Sequence, residues 1–360
     1  GLERGDWIMK VDTSYISKKY ETYLLQGTKA VKLTLGEWKE VEIEDEEDGN
    51  EGGDGEDEGP TMEYRVVPID DPVEMPAAQI VEDNPVHKYE IIESPVKKIR
   101  VGYLMYNSFT AGTKAEPEKY NNELRSVSQK FKEAGVQAVI LDLRYNEGGS
   151  MDCVQLLGTI LTSADRLGEP MAYLEYNDKN TDKDATILFG TDREINLNLH
   201  SLIAITSGTT MGAPEMLIRS LFLEDTYPIA TVGSSTKGQN VATEQFINEE
   251  FLWSVNPVVC TVYNSQHDTY GAISPATDLK VSETTIDGST NYSEFLPFGT
   301  FDKDGKSERL LKIAIGVLDG TYPPKDDETP EESTPQTRFK VEKSVSSPAS
   351  RRFSSKGLRL

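Results

Sequence analysis

The sequence contains little cysteine and little histidine, residues that form disulfides and zinc sites. Its two cysteines, Cys153 and Cys260, allow at most one disulfide. Each lies in an apolar stretch, so we expect two buried free thiols. The three histidines are far apart in the sequence and no Cys-x-x-Cys pair occurs, which leaves little support for a zinc site.

The chain also lacks long apolar runs and an excess of basic charge. No apolar run approaches the roughly 18 residues that a transmembrane helix needs. The 61 acidic residues outnumber the 37 basic ones, which gives a net charge of −24 at pH 7. This balance argues against binding to nucleic acid or anionic lipid by bulk attraction. The 360 residues, 37% of them hydrophobic, predict about two domains with a sizeable core.

Much of the charge lies in two segments of opposite sign. The stretch from Glu42 to Glu58 holds 11 acidic residues and no basic one, and we interpret residues 41–62 as a disordered, solvated insert. Its order of carboxylates and glycines does not match a calcium-binding loop. The last 23 residues, from Arg338, hold seven basic residues and one acidic one. With the polar stretch before them, they predict a disordered tail over residues 323–360.

The order of apolar segments predicts a β-rich beginning followed by an α/β core. Short apolar runs separated by turns fill residues 1–40, and β-like segments continue through residues 63–96. Strand and helix patterns then alternate through residues 97–322, which predicts right-handed crossovers and a largely parallel sheet. The expected fold class is therefore α/β, with mixed α+β character. Within the core, the predicted strands are residues 99–106, 136–143, 202–205 and 229–232, and the predicted helices are residues 118–134, 151–161, 213–223 and 307–318.

Three turns follow buried strands of this predicted sheet: Asp142–Gly149, Thr206–Glu215 and Gly233–Gln239. Ligands of parallel sheets gather at the carboxyl ends of the strands, so we expect the turns to meet there. Paired glycines let backbone N–H groups converge on one oxygen, and a helix that starts at Ala213 adds free N–H donors. These are the components of an oxyanion hole, although three ordinary turns would show the same spacing. The candidate donors are the N–H groups of Gly148, Gly149 and Ala213.

In this order, the three turns resemble the C-terminal processing, or tail-specific, peptidase family. The family pattern is a strand ending in Asp-Leu-Arg-x-Asn-x-Gly-Gly, then Thr-Ala-Ser-Ala-Ser-Glu at the start of a helix, then Thr-x-Gly-Lys after the next strand. The first element is the most specific of the three. It matches here at Asp142, Leu143, Arg144, Asn146, Gly148 and Gly149.

Two further segments extend the resemblance to about residues 1–40 and 97–320. The opening residues Gly1–Asp12 resemble the second half of a PDZ domain, which this family carries before its catalytic core, and we expect an upstream part of that domain. Residues Tyr270–Pro275 resemble a late family segment with Gly-Ile-x-Pro-Asp. The resemblance therefore implies a ClpP/crotonase-like peptidase core over residues 97–322, with a partial PDZ-like domain over residues 1–40.

The resemblance implies a serine endopeptidase that hydrolyses peptide bonds with a Ser–Lys dyad. A lysine acts as a base near neutral pH only when burial lowers its pKa, because desolvation disfavours the ammonium ion. It would take the serine proton while backbone donors hold the tetrahedral oxyanion. The family implies extended or C-terminal peptide segments as partners, no nucleic acid, no integral membrane segment, no cofactor or metal, and a periplasmic or cell-envelope location. Its structural motif falls on Asp142, Arg144 and Asn146.

The sequence departs from the family at both chemical positions. When the chain is aligned on Glu215, Gly212 stands at the position of the nucleophilic serine, and glycine cannot form an acyl-enzyme. When it is aligned on Thr-x-Gly-Lys, Gln239 stands at the base position, and a carboxamide does not take a proton near pH 7. Lys237 lies two residues earlier and, in a strand, would share the side of Gln239.

Three hypotheses about function follow from this departure. The leading one is an impaired or inactive peptidase that still holds an extended peptide in its cleft. The second is an active serine- or threonine-type peptidase with a displaced dyad, such as Thr210 with Lys237. Ser207 and Thr209 supply further hydroxyls nearby, although such residues also commonly cap helices and fill turns. The third is a non-catalytic adaptor of the cell envelope whose cleft is vestigial.

Overall fold

Two compact units make up the chain. The computed structural model describes residues 1–17, 27–43, 61–283, 296–301, 307–323 and 357–360. The first unit is built mainly from Gly1–Glu82, and the second from Asp83–Asp287, Phe298–Ser333 and Pro348–Leu360. Among the described residues, no helix combines the length and the apolar character needed to cross a membrane.

An antiparallel sheet forms the first unit. Its strands are β1 (Trp7–Val11), β2 (Ser14–Tyr15), β3 (Val31–Ile43), β4 (Thr61–Pro68) and β5 (Val73–Met75). β1 pairs with β2 and β3, and β3 also pairs with β4 and β5. The predicted β-rich beginning is therefore confirmed, whereas its assignment to a PDZ domain stays a prediction.

The acidic insert lies between two paired strands. β3 ends at Ile43 and β4 begins at Thr61, and these two residues are register partners. Residues 41–43 and 61–62, which the charge run assigns to a disordered insert, therefore belong to strands. Alternating Val41 and Ile43 continue the β pattern of the preceding residues despite the acidic neighbours. The rest of the insert lies outside the described residues.

The second unit combines two sheets, a hairpin and four α-helices in its described part. The helices are α1 (Lys119–Glu133), α2 (Met151–Leu161), α3 (Ala213–Leu221) and α4 (Arg309–Asp319), with 3₁₀ turns at Ala164–Arg166, Thr181–Lys183 and Thr277–Leu279. The strands up to the middle of the unit are β6 (Val86–Glu93), β7 (Arg100–Tyr106), β8 (Ala138–Asp142), β9 (Gly148–Ser150), β10 (Pro170–Tyr176), β11 (Ala185–Leu188) and β12 (Leu202–Thr206). The later strands are β13 (Ile229–Gly233), β14 (Val241–Thr243), β15 (Phe246–Asn248), β16 (Trp253–Val255), β17 (Val258–Tyr263) and β18 (Gly357–Arg359).

The central sheet confirms the predicted parallel arrangement. Its order is β13-β12-β8-β7-β6, and every pair is parallel except β6 with β7. Both faces are buried, because Tyr103 and Met105 of β7 join one apolar cluster and Leu104 and Tyr106 join the other. Burial on both faces explains the nearly continuous apolar runs of these strands. The carboxyl ends of β8, β12 and β13 consequently lie side by side.

The helices cover the two faces of this sheet and match the predicted segments to within a few residues. Leu124 of α1, Leu157 of α2 and Leu217 of α3 belong to one apolar cluster, and Leu311 of α4 belongs to the other. Gly320 follows α4 with a φ of 74°, the left-handed conformation in which glycine commonly ends a helix. The 3.6-residue periodicity of the sequence therefore located the helices correctly.

A mixed sheet lies beside the central one, with the order β11-β10-β17-β14-β18-β9. β18 runs parallel to both of its neighbours. The sequence predicts a disordered tail over residues 323–360, so the strand at Gly357–Arg359 corrects that prediction at its far end. Pairing on both edges and burial of Leu358, which is 1% exposed, stabilise a segment whose own composition is polar and basic. Residues 324–356 lie outside the described residues.

Both cysteines are buried free thiols, as predicted. Burial raises the pKa of Cys153 to about 12 and the pKa of Cys260 to about 11. The two thiols therefore remain protonated near neutral pH and are poor nucleophiles.

Candidate active site

The three predicted turns meet at the carboxyl edge of the central sheet. They follow β8, β12 and β13, which are adjacent strands. Backbone hydrogen bonds join the turns in pairs: the N–H of Ser234 to the carbonyl of Thr206 (3.0 Å), that of Met211 to Asn146 (3.2 Å), and that of Lys237 to Thr210 (3.0 Å). The turns therefore form one continuous surface rather than three separate loops.

A buried ion cluster anchors the first turn. The Arg144 guanidinium is fully buried and donates to both carboxylate oxygens of Asp142, to Oδ1 at 3.0 Å and to Oδ2 at 2.7 Å, and to both oxygens of Glu308, at 2.8 and 3.0 Å. Glu283 accepts a further bond at 3.0 Å, and the Tyr103 hydroxyl donates to Asp142. Burial alone would lower the pKa of Arg144, but the adjacent Asp142 and Glu308 carboxylates hold it well above its ordinary value. The motif residues Asp142 and Arg144 thus fix the turn to the start of α4.

Asn146 shapes the rest of this turn from a fully buried position. Its side-chain amide donates to the carbonyl of Tyr106 at 2.8 Å, and its side-chain oxygen accepts the N–H of Gly148 at 3.0 Å. The Gly148 N–H, one of the three predicted oxyanion donors, is therefore already bound within the turn. Gly149 and Ala213 are the remaining candidates, since the N–H of a first helical residue has no partner inside its helix.

Gly212, at the predicted nucleophile position, forms a sharp strand-to-helix turn. Its φ of 69° and ψ of −104° lie in a region that side chains rarely adopt, and it is the N-terminal cap of α3. Sharp, strained turns of this kind present the nucleophile in α/β-hydrolases. The backbone at Gly212 therefore forms a turn of the kind that presents a nucleophile in those enzymes, and the residue itself has no side chain.

The Glu215 carboxylate joins the turn at Gly212 to the turn at Gln239. It is fully buried, and its Oε2 accepts the N–H of Gly212 at 2.9 Å and that of Gln239 at 2.8 Å. Its Oε1 accepts the N–H of Gly238 at 2.5 Å and the hydroxyl of Thr236. With four donors around one fully buried carboxylate, Glu215 positions both turns.

Gln239, at the predicted base position, and Lys237 differ in their exposure to solvent. The side-chain oxygen of Gln239 is buried and has no hydrogen-bond partner among the described residues. Lys237, two residues earlier, is exposed. The structure therefore brings Gln239, and not Lys237, into the interior of the site.

The hydroxyls near Gly212 are occupied by structural hydrogen bonds. Thr210 is fully buried; its hydroxyl donates to the carbonyl of Leu143 at 2.9 Å and accepts the N–H of Ser207 at 3.0 Å. The hydroxyls of Ser207 and Thr209 both donate to the carbonyl of Arg144. These three side chains close the loop between β12 and α3 onto the first turn.

The strand β18 lies in the cleft beside these turns. The N–H of Gly357 donates to the carbonyl of Glu147 at 2.6 Å, and the N–H of Leu360 donates to the carbonyl of Thr243 at 3.1 Å. The Thr243 hydroxyl donates to the carbonyl of Leu358 at 3.2 Å. An extended segment is thus held on both sides, by the first turn and by the strand that follows the base position.

Comparison with known proteins identifies the family. The sequence profile of peptidase family S41 matches residues 100–256. A solved S41 protease of Bacteroides fragilis NCTC 9343 is 36% identical, over 89% of this chain and 74% of that protein, with a TM-score of 0.72. The chain belongs to peptidase family S41.

Other solved structures match this S41 chain more distantly. The photosystem II D1 C-terminal processing protease is 15% identical over 78% of this chain and 64% of that chain, with a TM-score of 0.43. A lipoprotein of Streptococcus agalactiae is 19% identical over 52% of this chain and 63% of that chain, with a TM-score of 0.38. No match was found among curated proteins.

The sequence did not predict two residues of the candidate site, Glu308 and Thr236. Glu308 caps α4, and a carboxylate before an apolar helix signals a cap, but nothing in the sequence shows that it pairs with Arg144. Thr236 links Glu215 to the late family segment. Its hydroxyl donates to the Glu215 carboxylate and accepts the N–H of Ile273 at 2.9 Å, and its own N–H donates to the carbonyl of Ile273 at 3.0 Å. No group of His, Cys, Asp and Glu side chains in the described ranges is arranged to hold a metal ion.

Proposed function

We propose that this S41 chain binds extended peptides in its cleft by strand addition and does not hydrolyse them. The observation that carries the proposal is β18, which lies in parallel register between β9 and β14 beside the dyad positions. Peptide recognition by strand addition uses main-chain hydrogen bonds for affinity and side-chain pockets for selectivity. The cleft provides main-chain hydrogen bonds to β18 and a pocket that buries the Leu358 side chain.

The proposed lack of hydrolysis rests on two missing chemical groups. Gly212 carries no nucleophile, and Gln239 carries no group that accepts a proton near pH 7. The Glu215 hydrogen bonds that position both backbones are nevertheless present. A scaffold that keeps its geometry without its reacting groups retains the means to bind a peptide but not to cleave it.

A displaced dyad of Thr210 and Lys237 has weaker support. A nucleophile and its base must lie within hydrogen-bond reach. The Thr210 hydroxyl instead donates to the carbonyl of Leu143, and Lys237 is exposed, where burial does not lower the pKa of a lysine. We therefore favour a binding function over a relocated catalytic one.

The proposal is tested by measuring cleavage and binding on the same full-length preparation. Unfolded protein and extended peptides are incubated with the chain and analysed by mass spectrometry, and peptide affinity is measured by calorimetry up to millimolar peptide. We expect binding without new cleavage products. Turnover that is lost in Thr210→Ala or Lys237→Ala would instead establish the displaced dyad. Neither turnover nor affinity, both in this chain and in one that lacks residues 357–360, would favour the vestigial cleft of an adaptor.

A further inference from the structure

The segment Gly357–Leu360, which contains β18, lies where a substrate peptide bond would be attacked. A β-carbon built on Gly212 would stand 2.6 Å from the carbonyl carbon of Gly357 and 2.6 Å from the nitrogen of Leu358. These two atoms form the Gly357–Leu358 peptide bond. The position that carries the nucleophile in the family therefore faces one specific peptide bond of this chain.

The Gly357 carbonyl is oriented as the acyl group of a substrate would be. Gly357 pairs with Gly148 in a parallel ladder, and its N–H donates to Glu147. In a parallel ladder with this register, the N–H of Gly149 faces the Gly357 carbonyl oxygen. Gly149 is one of the candidate oxyanion donors. The carbonyl of Gly357 therefore lies where we expect the carbonyl of a substrate peptide bond.

The fit of the strand depends on glycine at three contact points. A β-carbon on Gly148 would stand 1.9 Å from the Gly357 oxygen, and one on Gly212 would meet the Gly357–Leu358 bond. Gly357 itself has a φ of 81°, and its own β-carbon would stand 2.6 Å from the Gln239 side-chain oxygen. A larger residue at Gly148 or Gly212 would push the strand out, because the neighbouring atoms there are backbone. At Gly357 the positive φ is the constraint, because residues with a side chain rarely adopt it.

Side-chain burial along the strand gives it a definite sequence preference. Leu358 is 1% exposed and belongs to the main apolar cluster of the unit, whereas Leu360 is 43% exposed. Burying a leucine side chain contributes on the order of 2 kcal/mol. The cleft therefore selects a glycine followed by a large apolar residue, and it leaves the residue two positions further on at the surface.

We propose that Gly357–Leu360 is a resident ligand that occupies the cleft and blocks other peptides, and that the cleft selects extended segments with Gly followed by Leu. This inference rests on the proposed function. Glycine in place of the family's serine at position 212 also favours occupation of the cleft by this segment. It leaves room for the strand, and it leaves the Gly357–Leu358 bond uncut. External peptides bind only when the resident strand is displaced.

Displacement of the strand is tested with a fluorescent peptide that has the sequence of residues 353–360. Its affinity is measured for the full-length chain, for Leu358→Asp in the full-length chain, and for a chain that lacks residues 357–360. We expect both altered chains to bind the peptide at least tenfold more tightly than the unaltered chain. The matched control is Leu360→Asp, which changes the exposed residue that follows β18 and should behave like the unaltered chain.

The outcomes separate this inference from the proposed function. Equal affinity of the unaltered and altered chains would contradict the claim that residues 357–360 block the cleft, but it would still support peptide binding. Absence of binding in every chain would overturn the proposed function, and the inference with it. A second peptide with valine in place of the glycine tests the sequence preference; binding as tight as that of the first peptide would contradict it. Hydrogen exchange gives an independent readout, since the N–H of Leu360 should lose its protection in Leu358→Asp.

Discussion

Gly212 and Gln239 donate their backbone N–H groups to the same oxygen, Oε2 of Glu215, at 2.9 and 2.8 Å. These residues stand at the predicted nucleophile and base positions of the family pattern, and they lie 27 positions apart in the chain. A single buried carboxylate therefore fixes the spacing between the two positions even though neither carries a reactive side chain. On the proposed function, the site lacks reacting side chains at both positions, while the backbone hydrogen bonds to Glu215 are present.

Replacing Glu215 should destabilise the whole chain. In Glu215→Gln, one acceptor oxygen becomes an NH₂ donor that faces other donors, so buried N–H groups lose their partners. We expect the free energy of unfolding to fall by about 2–4 kcal/mol, as measured by urea denaturation. Glu224→Gln, at an exposed site after α3, is the matched control and should change it by less than about 0.5 kcal/mol. Equal stability of the two variants would show that the Glu215 network contributes little.

Restoring the two side chains should restore hydrolysis only when the cleft is empty. A serine at position 212 would place its β-carbon 2.6 Å from Gly357, so Gly212→Ser with Gln239→Lys is made in a chain that lacks residues 357–360. We expect slow cleavage of a peptide with the sequence of residues 353–360, between its Gly and Leu, detected by mass spectrometry. The strained φ at position 212 costs about 1–2 kcal/mol and limits stability. Gly212→Ala with Gln239→Lys is the control, and cleavage by it would assign the activity to a contaminant.

The hydroxyl of Thr243 should contribute to peptide affinity. It donates to the carbonyl of Leu358 at 3.2 Å, and Thr243→Val keeps the shape of the side chain while removing the donor. In a chain that lacks residues 357–360, we expect affinity for the 353–360 peptide to fall about three- to tenfold, since one hydrogen bond contributes about 1 kcal/mol. Thr186→Val, on an exposed part of β11, should leave the affinity unchanged. A loss as large in the control would point to a general effect of the substitution.

Asp319 should make stability depend on pH in the acidic range. Its carboxylate accepts the N–H groups of Val96 and Lys97, each at 3.0 Å. Burial alone would raise the pKa of Asp319, but the hydrogen bonds from Lys97 and Val96 hold it below its ordinary value. A carboxyl whose pKa is lowered by folding stabilises the protein above the pKa of the unfolded state, about 4, and loses this contribution as the pH falls through the lower folded pKa.

The measurement for Asp319 compares urea unfolding of the unaltered chain and Asp319→Asn from pH 7 to pH 2. We expect the variant to be less stable at pH 7 and the difference to shrink steadily below about pH 4. Asp225→Asn, at an exposed position, should show no such trend. A difference that stays constant down to pH 2 would mean that the carboxylate charge does not matter.

The sequence predicted the features that depend on local pattern and on simple sheet topology. Strands such as β8 and helices such as α2 follow from apolar periodicity, and the meeting of the three turns follows from parallel pairing. The sequence did not show which N–H groups are free, because the use of the Gly148 N–H depends on the conformation of Asn146. It also missed pairs far apart in the chain, such as Arg144 with Glu308.

The strand β18 shows most clearly why composition was not enough. Basic and polar residues around it predicted disorder, yet its partners Gly148 and Ala242 lie more than one hundred residues away. A short segment bonded on both edges gains stability from its neighbours rather than from its own propensity. Leu358 is the one buried leucine of the segment, and a single apolar residue is too little to predict a strand from the sequence.

The resident strand and its cleft are parts of one polypeptide, so their encounter is intramolecular. Its effective concentration is set by the connecting chain and does not fall on dilution. A free peptide with the same intrinsic affinity must exceed that local concentration before it takes the site. Occupancy of the cleft should therefore respond to cleavage, modification or capture of the strand itself, and hardly at all to the abundance of competing peptides.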